Sequence, residues 1–186
     1  MNIIIMPHNG SACCCRPDTT WERENRDFYS PDCIDEIWWT PVIFARISKA
    51  GKCISPKFAS RYYDAVGYGM LMYCRRDEVT ETAFTSCLDH SSILPFPLYN
   101  PVVLENEDNT YEVQKDNMVI FSTGCTGTGQ IEDAISRASE TTSLRIGDFV
   151  ALELSGQEPL TKKTEGPNHM KGAFCNNEVF DFKIIF

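Results

Sequence analysis

Ile43-Phe44-Ala45-Arg46-Ile47-Ser48-Lys49-Ala50-Gly51-Lys52-Cys53-Ile54-Ser55, running on to Arg61-Tyr62-Tyr63-Asp64-Ala65-Val66-Gly67-Tyr68-Gly69, is the stretch on which the fold turns. Its first part belongs to a run from Ile37 to Ile47 rich in β-branched and aromatic residues, which reads as a long strand divided into two phases by Pro41. Ser55-Pro56 supplies a helix N-cap and a proline at the first helical position, and Phe58, Tyr62 and Val66 then recur at helical spacing. Gly67 and Gly69 stop that helix, and Tyr68 to Tyr73 is an apolar run of strand length.

Outward from this centre the chain alternates short apolar runs with turn chemistry. Met1 to Met6 reads as a buried strand ended by His8-Asn9-Gly10, and Arg16 to Asp35 as loop with a short strand piece at Phe28-Tyr29. Val79 to Leu88 fits helix or irregular structure, and Pro95, Pro97 and Pro101 forbid a regular helix after it. Val102 through Val113 reads as a hairpin, Val119-Ile120-Phe121 as a strand, and Ile131, Ala134, Ile135 and Ala138 as one helix face. Arg145-Ile146-Gly147-Asp148 is a turn, Phe149 to Leu154 and Val179 to Ile185 are strands, and Thr161 to Lys171 is polar and expected to be exposed. Many short strands with two modest helices predict a mainly β (α+β) domain over residues 1–186.

A chain of 186 residues suits one core. Seventeen Lys and Arg against 26 Asp and Glu give a net charge of −9, which argues against nucleic acid as a partner because binding it needs cations at phosphates. No run approaches the roughly 20 apolar residues that span a bilayer, and Met1-Asn2-Ile3-Ile4-Ile5 lacks the features of a signal peptide, so a cytoplasmic protein without membrane contact is expected. Nine cysteines, scattered except for Cys13-Cys14-Cys15, make a poor disulfide framework and fit a reducing compartment.

The quoted stretch resembles the metal-dependent fumarylacetoacetate hydrolase family, which has a strand, a Gly-Lys turn and a helix in this order. Arg16-Pro17-Asp18-Thr19, Phe28-Tyr29 and Pro31-Asp32 resemble its upstream Lys-Pro-Asp-Thr region, and Leu144-Arg145-Ile146-Gly147-Asp148 its Leu-x-x-Gly-Asp turn. The resemblance covers nearly the whole chain and implies a mixed β-sandwich roll with small peripheral helices, assembled as a homodimer. It lacks one part. Where the family carries a lid helix with a His and a Glu that activate water, only Gly10 to Cys15 remain.

The positions that the resemblance assigns to chemistry have changed type. The family's pair of metal-binding glutamates, which share a strand face at i and i+2, falls on Thr40 and Val42, and its aspartate ligand falls on Leu71. Hard Mg²⁺ or Mn²⁺ needs oxygen ligands, so no metal and no cofactor are expected here. The family's lysine falls on Ser86, while Asp89 is retained, and its carboxylate-cradling turn falls near Leu152-Glu153-Leu154-Ser155, where a glutamate would repel an anion. Arg75, four residues after Leu71, matches a polar group that the family directs to its pocket. Asp35, Glu36, Asp77 and Glu78 are the carboxylates that a displaced metal site would use, although a one-residue strand shift turns every side chain to the other face.

Other constellations read as structural. Ser122 to Gln130 is a glycine-rich loop before a helix, but its spacing matches neither phosphate-binding pattern, and Glu132 and Asp133 occupy the first helical turn. Adjacent thiols at Cys13 to Cys15 lack zinc spacing. His8 reads as a turn residue, His169 as solvated, and Trp38-Trp39 as strand packing, while His90 beside Asp89 resembles a base with its orienting carboxylate but, because sequence neighbours rarely face each other, reads first as a hydrogen-bonded structural histidine. Two functions follow. The first is a catalytically degenerate paralogue, a binding or interaction protein, alone or paired with an active homologue. The second is a hydrolase, decarboxylase or isomerase of a small β-keto or enol acid, built on a displaced metal site with Mg²⁺ or Mn²⁺ or on metal-free chemistry at Arg75, Asp89 and His90.

Overall fold

The computed structural model describes residues 1–10, 12–75 and 85–186. The stretch 76–84, with Asp77, Glu78 and most of the ambiguous Val79 to Leu88 segment, lies outside the described residues, as does Ser11. Strands β1 (Ile3–Met6), β2 (Cys14–Arg16), β3 (Trp21–Glu22) and β4 (Phe28–Tyr29) precede the long pair β5 (Glu36–Ile47) and β6 (Tyr63–Arg75). Then follow β7 (Ser92–Ile93), β8 (Thr110–Lys115), β9 (Met118–Gly124), helix α1 (Gly129–Thr141), β10 (Phe149–Glu153), β11 (Glu158–Lys162), β12 (Asn168–Phe174) and β13 (Asn177–Ile185).

Two sheets result. The larger runs β2-β1-β10-β5-β6-β7-β3 with β11 also pairing β5, and the smaller runs β4-β13-β12-β8-β9. This is the mainly β architecture that the short alternating runs predict. One face of the larger sheet packs on the smaller sheet and on α1, burying Ile43, Ala45, Tyr68, Met70 and Met72 with Tyr111, Phe174, Phe180 and Ile135. Its opposite face buries a second cluster that includes Ile3, Ile5, Val42, Phe44, Leu71 and Phe149. Burial on both faces explains why β5 and β6 read as nearly unbroken apolar runs rather than as alternating ones.

Pro41 does not break β5. The antiparallel pairing with β6 runs through it, Pro41 opposite Met70. On the other side β10 pairs with β5 from Arg46 to Val42 and β11 takes over at Trp39, so Pro41 sits at the seam between them. Its carbonyl accepts from the Leu154 amide at 2.9 Å, and the missing N–H faces the same seam, where no ladder bond is lost.

Three further expectations need correction. The helix expected from Ser55 to Val66 is a short 3₁₀ turn, Pro56–Arg61, because Tyr63, Ala65 and Val66 are drawn into the ladder opposite Ile47, Arg46 and Ala45. Gly67 therefore stops no helix: it lies opposite Phe44, whose ring would stand 2.5 Å from an added Cβ. The hairpin expected at Val102 to Val113 begins instead with a 3₁₀ turn, Pro101–Glu105, capped by Asn100, and the hairpin proper is β8–β9. Its turn is Asp116-Asn117, with φ of 51° and 66°, the left-handed values that Asp and Asn tolerate. The stretch Thr161 to Lys171 holds the end of β11 and the start of β12, with Thr161, Asn168 and Met170 buried. All nine cysteines are free, and no helix of the described residues is long and apolar enough to cross a membrane.

Candidate functional site

The β5–β6–β10 register decides what the outer face of the larger sheet can do. Thr40 stands opposite Leu71 and Val42 opposite Glu153, and residues directly opposite share a face. Two residues along β6 from Leu71, Tyr73 joins the same face. Thr40, Val42, Leu71, Tyr73 and Glu153 thus form one continuous, buried surface.

Its two ends differ. Val42 and Leu71 pack with Ile3, Ile5, Phe44 and Ala151, and Thr40 donates its hydroxyl to the Ser155 carbonyl at 2.8 Å. Beyond them the Tyr73 hydroxyl donates to Glu153 Oε1. Glu153 Oε2 accepts from the His8 amide at 3.1 Å, and Oε1 also accepts from Gln157 Nε2 at 3.4 Å. Arg16, fully buried, stacks on the Tyr73 ring at 4.3 Å and donates to the Met72 carbonyl and to the Ser91 and Ser92 hydroxyls. Above Glu153 opens a cavity of about 480 Å³ whose lining includes Pro7, His8, Ala12, Cys14, Tyr73 and Gln157. Burial, reinforced by the neighbouring Glu153 carboxylate and only partly offset by Arg16, holds the Tyr73 hydroxyl far above its ordinary range, so tyrosine is the donor of that bond. Burial likewise pushes the Cys14 thiol up against the opposing pull of Arg16, which keeps it protonated and a poor nucleophile.

No family model matches the sequence, and no curated protein is similar to it at the sequence level. Solved structures do match in three dimensions. A fumarylpyruvate hydrolase from Pseudomonas aeruginosa, in complex with Mn²⁺ and pyruvate, superposes with a TM-score of 0.79 at 14% identity, covering 100% of this chain and 90% of that one. A protein from Yersinia pestis CO92 assigned to the fumarylacetoacetate hydrolase family gives 0.75 at 14% identity, over 99% and 92%. The fold is that of the fumarylacetoacetate hydrolase family. A 5-carboxymethyl-2-hydroxymuconate delta-isomerase from Mycobacterium smegmatis shares it, with a TM-score of 0.76 and 14% identity over 99% and 78%.

Against the fumarylacetoacetate hydrolase fold, the three positions that the resemblance gives to metal ligands are Thr40, Val42 and Leu71, and the donor set does not fit a divalent cation. Val42 and Leu71 carry no donor atom, and the Thr40 hydroxyl is committed to Ser155. Glu36 lies on the same face but four residues from Thr40, paired at 3.7 Å with Lys162, and Asp35 is exposed. Among the described residues, no three His, Cys, Asp or Glu side chains gather as a metal site.

The three residues considered for metal-free chemistry do not converge. Arg75 lies at the end of β6 opposite Glu36, its guanidinium 4.6 Å over the Trp38 ring. Asp89 and His90 line a different cavity, of about 710 Å³, together with Glu22, Arg26, Phe28 and Cys87. There the orienting carboxylate is Glu22 rather than Asp89: its Oε2 is 3.1 Å from His90 Nδ1, while its Oε1 accepts from the Arg23 and Glu24 amides. His90 has φ 58°, and its amide donates to the Thr19 carbonyl. Ser86 is buried in a helical turn and lines neither cavity.

The remaining motifs are structural. In the glycine-rich loop the Thr128 amide donates to Glu105 and the Gly127 amide to the Leu104 carbonyl, so protein acceptors take donors that a phosphate would need. Cys13 contacts Thr141, Cys14 lines the smaller cavity and Cys15 is exposed, as alternation along β2 requires. His169 is not simply solvated: with Lys171 it flanks the Asp181 carboxylate, at 2.5 and 3.0 Å. Sequence reasoning missed the Tyr73–Glu153 pair and Glu22. The available signal for the first was a glutamate inside the apolar strand Phe149 to Leu154.

Proposed function

We propose that this protein is a binding or interaction member of the fumarylacetoacetate hydrolase fold, without metal-dependent turnover. One observation carries the reading: at the end of the sheet face to which the resemblance assigns the metal ligands, Val42 and Leu71 are packed hydrocarbon and the Thr40 hydroxyl is bonded within the chain. Restoring ligands there would place carboxylates in a dry apolar cluster, at a cost of several kcal/mol for each unpaired charge. The neighbouring cavity over Glu153 supports binding, because it is concave and partly polar and its thiol and phenol are held protonated. A homodimer belongs to this reading. The edge strand β9, with Met118, Val119 and Ile120 exposed, supports such a contact, and solution mass measurement tests it.

The experiment is thermal melting with and without Mn²⁺, with oxalate added as an enolate mimic. A ligand of the folded state raises Tm by mass action. The expected outcome is an unchanged Tm, and a rise that grows with oxalate overturns the reading.

A second reading has its own observation, the His90–Glu22 contact in the larger cavity: an exposed imidazole fixed by a buried carboxylate is the arrangement of a general base. Metal-free turnover of acylpyruvates or oxaloacetate, lost in His90→Asn and retained in Arg75→Ala, would establish it over the first.

A further inference from the structure

We propose that the cavity over Glu153 is a binding site for a small organic cation, a ligand carrying an ammonium or guanidinium group. The inference rests on the reading above, that this face holds no metal, and gives the surviving cavity a ligand class opposite in charge to the pyruvate of the Pseudomonas complex.

Glu153 is 4% exposed, and a carboxylate withdrawn from water to that extent needs strong compensation. The compensation within the chain is incomplete. Its three donors, the Tyr73 hydroxyl, the His8 amide and the Gln157 side-chain amide, are all neutral. Among the described residues, no Lys, Arg or His side-chain nitrogen lies within ion-pair distance of its oxygens. Arg16 sits behind the Tyr73 ring with its terminal nitrogens committed to Met72, Ser91 and Ser92.

The carboxylate still has capacity. It offers about four acceptor directions and uses three. It also stands at the wall of a cavity rather than inside a sealed core, and about 480 Å³ holds a molecule of metabolite size. The other described walls are Pro7, Ala12, Cys14 and Gly156, with His8, Asn9 and Gln157 around them, and none is Lys or Arg. A carboxylic acid entering here would meet a buried negative charge, while Arg16, the fixed cation nearby, lies behind the Tyr73 ring and donates to Met72, Ser91 and Ser92. An ammonium or guanidinium would instead complete the Glu153 shell with a charge-assisted hydrogen bond, and the small and apolar walls suit a short aliphatic stem.

Calorimetric titration of the full chain with agmatine and with n-butylamine tests this, with butyrate as the anion of matched size. The expected result is saturable binding of both amines, none of butyrate, and affinity lowered about tenfold or more in Glu153→Gln, which keeps the shape of the side chain while removing its charge and one acceptor oxygen. Gln157→Lys is the second variant: it places a resident ammonium beside Glu153, and it should abolish amine binding while raising Tm. Absence of amine binding overturns the proposal, as does equal binding of butyrate or undiminished amine binding in either variant. Such a failure together with an unchanged Tm in Mn²⁺ and oxalate would leave the metal-free reading standing. A Tm rise in Mn²⁺ and oxalate would remove that reading itself.

Discussion

Along one face of the larger sheet, the end formed by Thr40, Val42 and Leu71 is closed by hydrocarbon, whereas the end formed by Tyr73 and Glu153 keeps a buried carboxylate at the wall of a cavity. The two ends are neighbours on the same strands: Leu71 and Tyr73 are two residues apart, and Val42 lies directly opposite Glu153. The concavity comes from strand order and register, which backbone pairing fixes. The chemistry comes from a few side chains that can change without disturbing that pairing. The same backbone pairing can therefore frame a cleft with different charges.

The largest expected effect comes from forcing a charge into the closed end. Leu71→Asp should destabilise the fold by about 3–5 kcal/mol, the cost of an uncompensated buried charge, read from denaturant unfolding, and should bring no Mn²⁺ binding. An unchanged melt with gain of Mn²⁺ would show that this end is not closed. Next is Arg16→Met, which leaves the Met72 carbonyl and the Ser91 and Ser92 hydroxyls short of a donor under the open end, at a cost of about 2–3 kcal/mol. Tyr73→Phe removes one donor from Glu153 and should cost about 1–2 kcal/mol while leaving the core cluster packed.

The smallest effect sharpens the comparison from outside it. Desolvation raises the Asp181 carboxyl, but the hydrogen bonds from His169 and Lys171 outweigh it and hold that carboxyl below its ordinary value. A depressed folded-state value means that the stability contributed is present above the unfolded carboxylate range and lost as pH falls through the folded value, below about pH 4. In Asp181→Asn this part of the acid loss should vanish. The change should stay under about 1 kcal/mol, because the group is partly exposed.

Much of the fold was legible because it is written in local patterns. The Ile131, Ala134, Ile135 and Ala138 stripe became α1, and Leu144 to Asp148 became a turn in which Asp148 accepts from the Arg145 and Asn2 amides. Phe58, Tyr62 and Val66 misled, since helical spacing over so short a stretch yielded to the pairing of Tyr63 and Val66 with β5. Thr40, Val42 and Leu71, the positions that the resemblance gives to the family's ligands, share one face by strand parity. Tyr73 and Glu153 are 80 residues apart, and β4, β5 and β6 separate Glu22 from His90 in the chain, so neither partnership can be read from local spacing.

Direct titration of Mn²⁺, following the electron paramagnetic resonance signal of the free ion with oxalate present, addresses the central claim most directly. With Val42, Leu71 and the committed Thr40 hydroxyl at the closed end, the free-ion signal should be the same with and without protein. Loss of one Mn²⁺ per chain would contradict the account, because it would require an oxygen-rich site on this protein that the closed end does not provide.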